Sequence, residues 1–146
     1  MPKQFRWPNT DEHCAILGCT GSGKTTLASY VLSEAPFHVM PYVCVDMKGD
    51  ELLGSINHLR EIGLHESIPT QPGLYVVRPL PSDVDGIENW LYRLWKQEYT
   101  GLYVDEAYLL PDKVWVRNIL AQGRSKRIPS IFASQRPVDI PRSIFT

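Results

Sequence analysis

Gly18-Cys19-Thr20-Gly21-Ser22-Gly23-Lys24-Thr25 fits the spacing G-x-x-x-x-G-K-[ST] of a phosphate-binding loop. Its glycines let the backbone turn sharply and approach an anion closely. Successive N–H groups then point at phosphate oxygens, and a following helix adds the partial positive charge of its N-terminus. On this reading Lys24 reaches the β- and γ-phosphates of a nucleotide. The Thr25 hydroxyl is a ligand of Mg²⁺, and Thr26 hydrogen-bonds the α-phosphate. The bland alternative is a glycine-rich turn ahead of an ordinary helix. It leaves the joint presence of Lys24 and Thr25 without a reason.

A second group of residues complements the first. Leu102-Tyr103-Val104-Asp105 is an apolar run ending in an acid, and Glu106 follows at once. An acid at a strand tip can hold Mg²⁺ beside Thr25, and its neighbour can take a proton from an attacking water. Two exposed acids at a strand end are the structural alternative. Gln135 closes the run Ile128–Ser134, where its amide could contact a γ-phosphate or orient the water. Arg124, Lys126 and Arg127 precede that run, and an arginine can stabilise transition-state charge, here in a neighbouring subunit. A solvent-exposed role is the alternative for each. Asp46 also ends an apolar run, as a site residue or as a turn former.

These residues need a scaffold of strands and helices, and the chain supplies one. Short apolar runs at 14–17, 42–45, 74–78, 102–104 and 128–134 read as strands. Between them, Lys24–Ser33 reads as a helix with Leu27, Val31 and Leu32 on its stripe, stopped by Pro36. Glu51–Ile62 repeats the helical spacing through Leu52, Leu53, Ile56, Leu59 and Ile62. A third helix opens at Ser82 or Asp83 and carries Ile87, Trp90, Leu91, Leu94 and Trp95, a core stripe rather than a base-stacking platform. A fourth runs from Pro111 to about Gly123, with Val114, Ile119 and Leu120 on one side. Alternation of this kind predicts an α/β fold, a mostly parallel sheet with helices on both faces. Residues 1–11 read as an arm and 12–146 as one domain.

Composition narrows the class further. The chain has 146 residues and a formal charge of −1, ordinary for a soluble globular protein. Neither an apolar run of membrane-spanning length nor a signal-peptide core is seen. Cys14, Cys19 and Cys44 suit a reducing compartment, and the histidines lack a metal-binding spacing. Beyond Asp112 the chain is basic against the single acid Asp139, as for a segment facing phosphates or simply a solvated face.

In their order, Gly18–Thr25, Val45-Asp46-Met47-Lys48-Gly49-Asp50, Val104-Asp105-Glu106 and Ser134-Gln135-Arg136-Pro137 resemble the FtsK/HerA superfamily of DNA-pumping ATPases. The resemblance runs from about Cys14 to Pro141. It implies a P-loop NTPase fold of the ASCE/RecA-like kind, with ATP and Mg²⁺ as cofactors. Lys24 and Thr25 would bind phosphate and metal, Asp105 would support the metal, Glu106 would activate water and Gln135 would sense the γ-phosphate. Arg124 matches the family's basic residue ahead of the last strand and ranks first as a finger in trans, with Arg127 second. Double-stranded DNA as substrate and a homo-oligomeric ring, a hexamer by analogy, follow from the resemblance alone. So does a setting in the host cytoplasm or with the virion. The family continues beyond Gln-Arg-Pro with a further strand and helix, so a truncated chain or a compact member is expected. The rivals are a Zot-like assembly or secretion ATPase acting on protein, and a nucleotide-gated binding module that hydrolyses poorly. A small-molecule kinase fits less well, for want of a lid-like arginine cluster.

Overall fold

The computed structural model describes residues 12–18, 24–49, 56, 59–111 and 113–134. Strands β1 (His13–Leu17), β2 (Pro41–Val45), β3 (Leu59–Ile62), β4 (Gly73–Val77), β5 (Gly101–Val104) and β6 (Ser130–Ser134) form one sheet. Its order is β1-β6-β5-β2-β4-β3, and every pairing is parallel. The chain leaves β1, builds the β2-β4-β3 half, then returns through β5 and β6 to fill the gap beside β1.

The apolar runs are strands because both of their faces are buried. Alternate residues divide between two cores, as the two-residue period of a strand requires. Val43, Val45, Tyr75, Val77, Leu102, Val104 and Phe132 face one side. They meet Ile87, Trp90, Leu91 and Leu94 of helix α2 (Val84–Gln97), and Val116, Ile119 and Leu120 of helix α3 (Val114–Gln122). Tyr42, Cys44, Leu74, Val76, Tyr103, Ile131 and Ala133 face the other, against Val31 and Leu32 of helix α1 (Lys24–Ser33). Helices therefore cover both faces, as the sequence predicts.

Local chemistry sets the helix ends. Asp83 Oδ1 accepts from the Gly86 N–H at 3.1 Å and caps α2. Pro36 follows the last turn of α1, where it cannot continue the helix.

Three expectations are corrected. Leu59–Ile62 is an edge strand rather than the end of a helix, and of residues 51–58 only Ile56 is described. A separation of three puts two side chains on one side of a helix but on opposite faces of a strand. Leu59 accordingly packs on one core and Ile62 on the other. Leu27 is 44% exposed, so the buried stripe of α1 rests on Val31 and Leu32. The fourth predicted helix begins at Val114 instead of Pro111, and Val114 is exposed while Val116 takes the inward position. The reading of 1–11 as an arm lies outside the described residues.

Candidate nucleotide site at the carboxyl edge of the sheet

In an all-parallel sheet every strand ends on the same edge, and open α/β sheets bind ligands there. Gly18 follows β1 and donates its N–H to the Ser134 carbonyl at the tip of β6 (3.2 Å). Asp105 follows β5 and donates its N–H to the Val45 carbonyl (3.1 Å), while the Asp46 N–H donates to the Val77 carbonyl (3.0 Å). The tips of β1, β6, β5, β2 and β4 therefore form a continuous rim. β6 alone separates β1 from β5, so Gly18 and Asp105 stand about 10 Å apart, two strand spacings. Helix α1 opens with Lys24 and Thr25.

Asp105 and Glu106 are both buried, at 4% and 8% exposure. Glu106 adopts the left-handed conformation (φ 53°, ψ 58°) as the residue capping a 3₁₀ turn at Ala107–Leu109. That region is uncommon for a residue with a Cβ and holds where the surroundings fix it. Here the Leu109 N–H closes the turn on the Glu106 carbonyl at 2.9 Å. Burial, with the nearby charges of Asp46 and Asp105, pushes the Cys44 thiol far above its ordinary range, so Cys44 stays a neutral packing group.

The rim contains a second network, built on Asp46. Its Oδ1 accepts from the backbone N–H groups of Lys48 (3.3 Å) and Gly49 (2.9 Å), and Gly49 has φ +73°. Arg78 Nε donates to Asp46 Oδ2 at 3.2 Å, and Arg78 Nη1 donates to Glu61 at 3.0 Å. Of the two readings of Asp46, the turn former accounts for these contacts. The turn delivers Lys48 Nζ to within 3.3 Å of Glu106 Oε1. Burial lowers the affinity of the Lys48 ammonium for its proton, but Glu106 and Tyr108 outweigh it and raise the pKa above its ordinary value. The Tyr108 ring centroid lies 6.0 Å from Lys48 Nζ.

Some predicted site residues can be placed. Gly18 sits on the rim, and Thr26 is exposed on the first turn of α1. Cys19, Thr20, Gly21, Ser22, Gly23 and Gln135, and the side chains of Lys24 and Thr25, lie outside the described residues. Arg124 and Arg127 fall at the other end of the sheet, in the turn that leads into β6. Arg124 is close enough to His13, the first residue of β1, to act on its charge. Arg127 lines a cavity of about 430 Å³ with Val39, Pro41 and Tyr99, at the starts of β2 and β5. A five-residue strand spans roughly 16 Å, so neither arginine serves the nucleotide site of its own chain. Lys126 is engaged by Glu98 at 2.9 Å and lies over the Trp95 ring at 3.8 Å. Sequence reasoning missed the roles of Lys48 and Arg78, although the Asp-x-Lys-Gly spacing beside a strand tip was the available signal for Lys48.

The donors suit a metal that arrives with its ligand. Among the described residues no group of three or more His, Cys, Asp or Glu side chains could hold an ion unaided. Mg²⁺ is usually bound by one or two carboxylates together with substrate phosphates and water. One buried carboxylate of the rim, Asp105 at the tip of β5, fits that habit. Among the described residues no helix is long and apolar enough to cross a membrane.

Comparison with known proteins agrees with this geometry. Residues 9–51 match the family model described as the central domain of the helicase HerA. The chain is 39% identical over 141 residues to the DNA packaging ATPase P9 of Enterobacteria phage PRD1, covering 94% of this chain and 61% of that protein. It thus spans about three fifths of the length of that curated relative. The genome packaging NTPase B204 of Sulfolobus turreted icosahedral virus 2, solved with AMPPCP, superposes with a TM-score of 0.70 at 21% identity, over 94% of this chain and 71% of that one. The pCW3 conjugation coupling protein TcpA, solved with ATPγS, gives a TM-score of 0.60 at 18% identity, over 93% of this chain and 45% of that one. The fold is therefore that of the P-loop NTPases, and the likenesses bear out the resemblance to the FtsK/HerA superfamily.

Proposed function

We propose that residues 12–146 form an ATPase domain that hydrolyses ATP with Mg²⁺ and drives packaging or translocation of double-stranded DNA. One observation carries the reading: the tip of β1, which feeds the phosphate loop, is joined through β6 to the β5 tip with its paired acids. The relative named a DNA packaging ATPase supports the choice of substrate.

In this scheme the loop amides of 18–25 and the Lys24 ammonium grip the triphosphate. Thr25 and Asp105 would hold Mg²⁺, which when bound neutralises charge on the β- and γ-oxygens. Glu106 accepts a proton at its carboxylate from the attacking water, and Gln135 orients that water. Arg124, with Arg127 as second choice, lies at the edge remote from its own site and reaches the γ-phosphate of a neighbouring copy. The working form is then a homo-oligomeric ring, a hexamer by analogy, in the host cytoplasm or on the virion.

Steady-state ATP hydrolysis with and without duplex DNA tests the reading. Magnesium-dependent turnover that rises with duplex DNA is expected. Turnover indifferent to DNA would turn the reading towards protein cargo, and absence of both hydrolysis and nucleotide binding would reject it.

A further inference from the structure

We propose that Lys48 is a positioning residue for Glu106, and that the Asp46-x-Lys48-Gly49 turn exists to hold it in place. The inference rests on the ATPase reading above and adds to it a residue which that reading does not use.

The argument starts at the tip of β2. Asp46 has a fully buried side chain with its two oxygens committed, one to the Lys48 and Gly49 N–H groups, the other to Arg78. Arg78 belongs to the neighbouring strand tip and is itself tied to Glu61 of β3. The backbone of the turn is therefore anchored across three adjacent strands. Gly49, at φ +73°, is in a conformation that side chains rarely adopt, so the turn closes there without strain. Its product is a lysine root fixed beside β5, the strand paired with β2.

From that root the side chain crosses to the acid. Lys48 Nζ stands 3.3 Å from Glu106 Oε1, and it lies beside Tyr108 on the same 3₁₀ turn that Glu106 caps. The carboxylate is buried while the lysine is about half exposed. A buried glutamate on left-handed backbone can point its carboxylate in several directions. The contact of Lys48 Nζ to Oε1 restricts that choice. General-base catalysis depends on such placement, since a base must lie within hydrogen-bond reach of the proton it removes. An ion pair whose lysine is half exposed to solvent adds little to stability, so its use is geometric.

The test measures ATP turnover and binding of a fluorescent methylanthraniloyl-ATP by wild type, Lys48→Met, Lys48→Arg, Glu106→Gln and the Lys48→Met/Glu106→Gln double variant. Lys48→Met is expected to lose about tenfold in kcat, with KM and probe affinity within about twofold and an unchanged melting temperature. Lys48→Arg should recover most of that loss, because it restores the contact. Once Glu106 is replaced, removing Lys48 should cost nothing further, since its effect passes through the acid. Wild-type kcat in Lys48→Met overturns the proposal, as does a loss that adds fully to that of Glu106→Gln. A parallel fall in probe affinity and melting temperature also overturns it, by assigning Lys48 a merely structural part. The ATPase reading fails separately: there wild type neither binds the probe nor hydrolyses ATP, or Glu106→Gln turns over like wild type.

Discussion

At the residue scale, two side chains have environments that dictate their behaviour. Asp46 keeps its carboxylate in the interior through backbone donors and Arg78. Replacing Arg78 by Ala leaves that buried acid short of one charged partner. A loss of roughly 1–3 kcal/mol is expected, below the cost of breaking a fully buried pair because Arg78 is partly exposed. Denaturant midpoints at constant slope would measure it. His13 behaves in the opposite sense. Burial holds its imidazole below the ordinary value of 6.5, with Arg124 acting the same way and the Leu120 carbonyl opposing. The folded state therefore keeps His13 neutral where the unfolded chain would already take up a proton. Its contribution is fully present above the unfolded value and declines as pH falls from there towards the lower folded value. His13→Gln should flatten this part of the pH dependence, as urea midpoints at about pH 7.5 and about pH 5.5 would reveal. Neither environment is legible in the sequence, because each brings together residues far apart along the chain.

At the element scale, the strands were legible because strands buried on both faces read as unbroken apolar runs, as in Tyr42–Val45 and Ile131–Ala133. The misread segment shows the limit of periodicity. Leu59 and Ile62 satisfy helical spacing, yet four residues are too few to separate the two periods, and only pairing with β4 decides the matter. At the site, the position of Asp105 and Glu106 at a strand tip could be read directly, whereas the Lys48–Glu106 contact could not, since it forms only when β2 and β5 become neighbours. The β2–β5 pairing also rests on a close approach. Gly101 lies opposite Tyr42, and a Cβ there would come within 2.4 Å of the tyrosine ring. That ring is buried, and burial pushes its hydroxyl up to about 12. Gly101→Ala must therefore displace the ring or part the strands. A destabilisation of about 1–3 kcal/mol is expected by calorimetry, with the hydrolytic residues unaltered.

At the scale of the whole molecule, the sheet separates two kinds of chemistry. Gly18 at the tip of β1 and the acids after β5 belong to the carboxyl edge, while Arg124 and Arg127 occupy the amino edge. Such polarity suits a ring in which one copy completes the site of the next. If so, Arg124→Ala and Glu106→Gln, each inactive alone, should regain part of the activity when mixed, because some interfaces then join an intact base to an intact arginine. Unmixed and mixed samples of equal activity would rule out completion in trans by Arg124. The central claim is nonetheless about one chain: nucleotide is gripped at the β1 tip and water is activated from the β5 tip. Single-turnover hydrolysis of radiolabelled ATP by Glu106→Gln, alongside wild type, tests it most directly. The account predicts retained ATP binding with the chemical step slowed about a hundredfold or more. Chemistry at the wild-type rate in that variant would contradict it.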